Sequence, residues 1–419
     1  MNDETSRRCR VVDLLSTLVS LDSINPMGRP YEKDQPVERS VIEFIETLFH
    51  EHRSRAMLRR QPCSPAHESL ILTVSGQSDN SIALFESHID TVPADEWSDR
   101  ALNPVVTEEK LTGRGACDDK GSLAAMIVAL LEILEEEIVP PRTIELLCAG
   151  DEEHAQTGIR CYVDNCPKSI EFAVFGEPTK LSPVVQHKGT MRWDITVHGR
   201  SAHTSRPELG VNAVLSMTDV ISALQSYQNR LQTSWTNPFM SGPMITVTTI
   251  QGGRTRNAIP DECTIAVDFR FLPGMDPTAE RETLIEYLRT LDCKITHGPL
   301  QLMTPPLSTD PELPFCREVE SICRRTVSDD VRLSGEPYGT DASWVSHLCP
   351  AIVLGPGDIS SAHAVDEYIS LVELTQAVEV YKSIMLQPVK QNPPKPIVAT
   401  SYDANSNGKA IENSSSTKT

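Results

Sequence analysis

His88 and Asp90 stand two residues apart just beyond an apolar run, Ile82-Ala83-Leu84-Phe85. In an extended segment residues i and i+2 point to the same side, so an imidazole and a carboxylate can act at one point. Asp90 can then share a ligand with His88 or orient the ring through its second nitrogen. A single His-x-Asp at a strand end usually marks only a solvated loop, so the rest of the chain has to decide. Three further apolar runs repeat the arrangement: Thr143–Ala149 leads through Gly150-Asp151 to Glu152-Glu153-His154, Phe172–Phe175 leads through Gly176 to Glu177, and Ala351–Leu354 leads through Gly355-Pro356-Gly357 to His363. Asp118 follows the first run, with Gly115 before it and Gly121 after it.

Imidazoles and carboxylates together suit hard or borderline divalent cations, and one carboxylate can bridge two ions that lie close together. Asp118 is the bridge candidate. His88 and Glu177 complete the set for one ion, and Glu153 and His363 complete it for the other. Glu152 adjoins a ligand without being needed as one, which leaves it free to take a proton from a water and pass it to a leaving amine.

These residues need a scaffold that gathers strand ends. In open α/β sheets ligands bind outside the carboxyl ends of the strands, and short runs rich in Ile, Leu, Val and Phe suit strands buried on both faces. Helical apolar spacing marks residues 11–21 and 37–50, Ser122–Ile138 reads as an amphipathic helix stopped by Pro140-Pro141, and Glu312–Thr326 as another helix. The stretch from 189 differs in texture: alternating Met191–Gly199, helical Asn212–Leu224, alternating Met244–Ile250 and Cys263–Arg270, then helical Glu280–Leu288. The expected fold is α/β, a mixed-sheet catalytic domain flanked by helices and built from residues 1–188 and 300–386, with a smaller α+β layer inserted at 189–299. Residues 387–419, rich in Pro, Asn, Ser and Lys without apolar period, are expected to be a disordered polar tail.

The chain has 419 residues and a formal net charge of −20, which argues against nucleic acid as a partner because phosphate binding needs a basic face. No run approaches the roughly 18 apolar residues that a membrane helix needs. The start lacks the charged and apolar regions of a signal peptide, so a cytoplasmic protein is expected. Eleven cysteines form no CxxC pair, so a thiolate metal site is not expected, and Cys148, Cys263 and Cys349 sit in or beside apolar runs as reduced core thiols do.

The stretches His88-Ile89-Asp90-Thr91-Val92-Pro93, Gly113-Arg114-Gly115-Ala116-Cys117-Asp118-Asp119-Lys120-Gly121, Asp151-Glu152-Glu153 and Gly176-Glu177-Pro178-Thr179 resemble the motifs of the dinuclear zinc metallopeptidase family that includes aminoacylase, carboxypeptidase G, succinyl-diaminopimelate desuccinylase and acetylornithine deacetylase. The resemblance runs from about Leu14 to Leu386. It implies two divalent ions, zinc or cobalt, at the five ligand candidates, Glu152 as general base and Asp90 orienting His88. It further implies that the inserted layer is a lid and dimerisation domain, and so a possible homodimer. His203, in Gly199-Arg200-Ser201-Ala202-His203-Thr204-Ser205-Arg206-Pro207, is similar to the family's lid histidine, which meets the tetrahedral oxyanion, often in the partner's site. Asn257 and Arg270 resemble positions that hold the substrate's amide or carboxylate. Several stretches are most similar to acetylornithine deacetylase, which implies a small N-acyl amino acid, N-acetylornithine first, as substrate. By contrast Gly339-Thr340-Asp341, a loop expected to touch substrate through Gly339 and Thr340, resembles the version in the family's other amidases and peptidases. Such a sibling amidase or dipeptidase is the alternative, and a relative that binds acyl amino acids without turnover is a further one.

Overall fold

The computed structural model describes residues 3–31, 34–78, 81–95, 97, 99–166 and 168–388. Up to residue 188 the chain runs α1 (Asp3–Ser20), α2 (Arg39–Leu48), β1 (Ala56–Pro62), β2 (Glu68–Val74), β3 (Ser81–His88), β4 (Val105–Val106), β5 (Lys110–Thr112), α3 (Lys120–Glu135), β6 (Thr143–Ala149), α4 (Thr157–Asn165), β7 (Ser169–Phe175) and β8 (Val184–His187). A second group follows: β9 (Gly189–His198), α5 (Ala213–Ser234), β10 (Met244–Gly252), β11 (Glu262–Phe271), α6 (Pro277–Leu288) and β12 (Lys294–Thr304). The chain closes with β13 (Leu307–Ser308), α7 (Pro314–Thr326), β14 (Ser334–Glu336), β15 (Ala351–Val353), β16 (Tyr368–Ser370) and α8 (Leu371–Met385). The expected tail falls almost wholly outside the described residues.

Nine strands form one mixed sheet in the order β1-β2-β6-β3-β7-β15-β8-β13, with β14 beside β8. At its centre β6, β3, β7 and β15 run parallel. Their register sets His88 opposite Ala149, Glu86 opposite Phe175 and Phe175 opposite Val353, so the four carboxyl ends lie on one rim. Strand β3 is buried on both faces because its alternate side chains serve two cores. Ala83 and Phe85 join Leu15, Leu18, Ile127, Val378 and Tyr381 under α1, α3 and α8. Ile82 and Leu84 join Tyr162 of α4 and Val345, just after a single 3-10 turn at Asp341–Trp344.

Helix α3 departs from the amphipathic expectation. Ser122, Ala124, Ala125, Val128, Ala129 and Ile133 are buried along with the expected apolar stripe. A helix enclosed by a sheet on one side and by α1 and α8 on the others needs an apolar or small residue at almost every position.

The second group has its own core. Trp193, Ile195, Val267 and Phe269 from the antiparallel sheet β10-β11-β9-β12 pack against Met217 and Leu224 of α5 and Leu284 of α6. Both helices start at side-chain caps: the Asn212 side chain accepts from Val214 and Leu215, and that of Asp276 from Thr278 and Ala279, with Pro277 next in line. Strand β12 contains Gly298 and Pro299 and is irregular between His297 and Leu302. Its place at the sheet edge lets it tolerate them.

Candidate active site

The turns that leave the four parallel strands converge with the loop before α3. His88 ends β3, Glu152 and Glu153 follow β6 by three and four residues, Glu177 follows β7 by two, and Asp118 precedes α3 by two. One Asp118 oxygen lies 2.9 Å from His88 Nε2 and the other 3.2 Å from His363 Nε2, which is also 3.2 Å from Glu153 Oε2. Ligand-type atoms of His88, Asp118 and Glu153 lie within 4.8 Å of one another, and so do those of His88, Glu152 and Glu177. All five ligand candidates and Glu152 therefore meet, with Asp118 between the two imidazoles. Glu152 is not set apart: its carboxylate has the same reach as the ligand candidates around His88.

A layer of hydrogen bonds fixes these groups. His88 Nδ1 donates to the backbone carbonyl of Asp90 at 2.9 Å, while the nearer Asp90 carboxylate oxygen is 3.6 Å away. The carbonyl is thus the ring's first partner, and Nε2 is turned to Asp118, where its lone pair is available to a cation once the proton is displaced. The Asp90 carboxylate instead accepts from the backbone N–H of Glu152 at 3.1 Å, the N–H of Glu153 at 3.3 Å and the Asn25 amide at 2.8 Å. Asn25 also reaches Asp151 at 3.0 Å. Glu367 accepts from the N–H groups of Cys117 at 2.8 Å and Asp118 at 3.0 Å, and pairs with Arg114 at 2.6 Å. Lys120, two residues beyond Asp118, donates to the carbonyls of Leu18 and Leu21 at the end of α1. Asp151 (φ 65°) and His363 (φ 60°) take left-handed backbone conformations, which cost energy outside glycine and are held here by these neighbours. Asn25 and Glu367 carry no metal-ligand spacing, and sequence patterns point only to a turn at Asn25-Pro26.

The charges explain what such a site can hold. Burial pushes the Glu152, Glu153 and Glu177 carboxyls up, and neighbouring acids, Asp341 or Asp118 first among them, push further. Burial opposes the Asp118 charge too, but His363 and His88 hold it well below the usual range. Burial works against a charged His88, but Asp118 and Asp90 outweigh it and push the pKa up. Asp118 and Glu153 push His363 up to about 10. Without cations, two imidazole protons partly balance four crowded carboxylates. Divalent ions fit better: the donors are all nitrogen and oxygen, and the buried Oε1 of Glu153 makes no hydrogen bond.

This arrangement carries a pH signature. His363 binds its proton more tightly folded than unfolded, so in metal-free protein that stabilisation is complete below the ordinary histidine value of about 6.5 and is lost as pH rises through about 10. Metal-free melting temperatures are expected to fall over that window, and zinc-loaded ones to be much flatter because ions replace the protons. Equal slopes with and without metal would contradict the assignment.

The remaining expected residues lie elsewhere. His203 is exposed, with Nδ1 2.8 Å from Ser205 Oγ and a strand-like bridge to Ala258. Asn257 is also exposed, and its carbonyl accepts from Thr204. These two loops meet each other, and among the described residues no hydrogen bond or ion pair joins either residue to the carboxylate cluster. Arg270, Gly339 and Thr340 gather around β8 and the start of β9. Thr340 N–H lies 3.3 Å from His187 Nε2, the Gly339 Cα faces the Lys188 carbonyl, and the Arg270 charge adds to burial in holding His187 down at about 4. Arg270 itself pairs with Asp268 at 2.8 Å.

Residues 84–387 match the family model described as "Peptidase family M20/M25/M40". Acetylornithine deacetylase of Proteus mirabilis is 34% identical over 369 residues, 86% of this chain and 92% of that protein. Acetylornithine deacetylase of Vibrio campbellii is 32% identical over 312 residues, 73% of this chain and 80% of its own. Among solved structures, aminopeptidase PepT from Bacillus cereus superposes with a TM-score of 0.72 at 19% identity, covering 90% of this chain and 98% of that one. The YXEP protein of Bacillus subtilis, described as a dinuclear metal binding peptidase, gives 0.66 at 14%, covering 91% and 98%. At those identities the likeness concerns the fold. Taken with the sequence matches, the chain belongs to peptidase family M20/M25/M40 and is a hydrolase of amide bonds.

Proposed function

We propose that this protein is a metal-dependent amidohydrolase that removes the acyl group from an N-acyl amino acid, with N-acetylornithine as first substrate and ornithine and acetate as products. The convergence of His88, Asp118, Glu153, Glu177 and His363 around a shared carboxylate, with Glu152 among them, carries this reading. The acetylornithine deacetylases among its relatives favour the substrate.

Two divalent ions, zinc or cobalt, held by those five side chains would supply positive charge against the amide oxygen and make a water in the site more acidic. Glu152 takes a proton from that water as its oxygen attacks the acyl carbon. It then returns the proton to the amine nitrogen as the carbon–nitrogen bond breaks. Asp90 holds the backbone of Glu152 and, through its carbonyl, the ring of His88. Arg270 offers a guanidinium to the substrate carboxylate beside Gly339 and Thr340. We take residues 189–299 as a lid and dimerisation layer, whose His203 and Asn257 meet the oxyanion and amide of the same site or of a second copy's. A cytoplasmic location agrees with the acidic charge, and no helix among the described residues is long and apolar enough to cross a membrane.

The Gly339-Thr340-Asp341 loop favours a second reading, a sibling amidase or dipeptidase. Amine release from acetyl, succinyl and dipeptide substrates, with zinc and cobalt compared, separates the two. N-acetylornithine is expected to give the highest kcat/KM. Preference for a dipeptide would support the second reading, and no release from any substrate would leave a binding protein.

A further inference from the structure

Glu152 is fixed at both ends. Its backbone N–H is held by Asp90, and its Oε1 accepts from the side-chain amide of Gln156 at 3.2 Å. Gln156 Oε1 in turn accepts from the indole N–H of Trp344 at 2.9 Å. An indole nitrogen can only donate, so Trp344 decides which end of the amide faces it. The oxygen must turn to Trp344 and the NH2 to Glu152. The indole is itself held by the guanidinium of Arg160, 5.1 Å from the ring, one helical turn beyond Gln156. Gln156 is buried and sits at φ 54°, a backbone conformation in which glycine would be relaxed. A large side chain at such a position needs a reason, and its two hydrogen bonds provide one. Asp341, at the start of the turn that carries Trp344, lies beside the same amide but makes no hydrogen bond of ordinary geometry.

We propose that Gln156 is the positioning residue for the base Glu152, and that Trp344 sets its direction. By engaging Oε1, the amide holds the carboxylate in one rotamer and leaves Oε2 to take the proton from water and return it to the amine. Trp344 stands on the turn that follows Gly339-Thr340, so the loop beside the substrate and the base are joined through one amide. The proposal rests on Glu152 being the base.

Gln156→Met keeps the shape and removes both hydrogen bonds. In the metal-loaded enzyme it is expected to lower kcat about 10- to 100-fold, as loss of an outer hydrogen-bond partner typically does, with KM within about threefold and both ions retained. Trp344→Phe is expected to lower kcat only about threefold, because one of the two amide orientations still offers a donor. The double variant is expected to match Gln156→Met alone, since both act through one bond. Wild-type kcat in Gln156→Met, a loss that follows metal content or KM, or losses that multiply in the double variant would overturn the assignment. If Gln156→Met does not fold, Trp344→Phe decides: an unchanged kcat would overturn it. Glu152→Ala, assayed alongside, separates the two failures. If it turns over within about tenfold of the wild type, the base itself is wrong; if it loses about 10²-fold or more while Gln156→Met is unimpaired, only the role of Gln156 falls.

Discussion

An Asp118→Ala variant is expected to lose both metal ions and at least about a thousandfold in turnover. Among the described residues Asp118 is the one carboxylate paired with both His88 and His363, one oxygen towards each, so its removal empties the centre of the cluster. Ions that polarise a carbonyl contribute several kcal/mol to a transition state. A loss of about 4 kcal/mol corresponds to roughly three decades in rate. Metal analysis of the dialysed variant beside the wild type checks the first part, and amine release with excess zinc checks the second. Two bound equivalents of metal would show that the bridge lies elsewhere. Because Asp118 is the acid that both imidazoles hold in its charged form, an unchanged far-UV circular dichroism spectrum is the control that separates ion loss from fold loss.

Glu152→Ala is expected to separate binding from chemistry. Its side chain is within reach of His88 and Glu177, yet the other carboxylates and imidazoles suffice for two ions. Metal content is therefore expected to stay at two, while kcat falls about 10² to 10⁴-fold, the usual worth of general-base catalysis. KM is expected to change little. Loss of one ion would make Glu152 a ligand, and a turnover within about tenfold of the wild type would move the base to another residue.

Most of the rim was legible in the sequence because His88, Glu152, Glu153 and Glu177 lie at or within four residues of the ends of strands buried on both faces. Ile82–Phe85, Thr143–Ala149 and Phe172–Phe175 are apolar almost without interruption, and polar ligand-type residues after them stand out. What stayed hidden lies one layer further out. Asn25 and Glu367 act through hydrogen bonds to residues far away in the chain, with no periodicity to mark them, and Gln156 matters through the direction of its amide, which only Trp344 reveals. Helix α3 was harder for a different reason: small residues such as Ala124, Ala125 and Ala129 look neutral in an apolar stripe until both sides of the helix are known to be covered. Edge strand β12 carries Gly298 and Pro299, residues that weaken a strand pattern in sequence.

The clamp formed by Glu367 has an implication for biosynthesis. It grips the amides of Cys117 and Asp118 across 250 and 249 residues of chain, and His363 arrives from the same late segment. While the polypeptide is still emerging from the ribosome, the four ligand candidates His88, Asp118, Glu153 and Glu177 must wait for more than 180 further residues before the fifth, His363, exists. With the proposed ligands, cation capture would be a terminal event in maturation, and a polypeptide cut short before His363 would carry every acid of the centre without the means to close it.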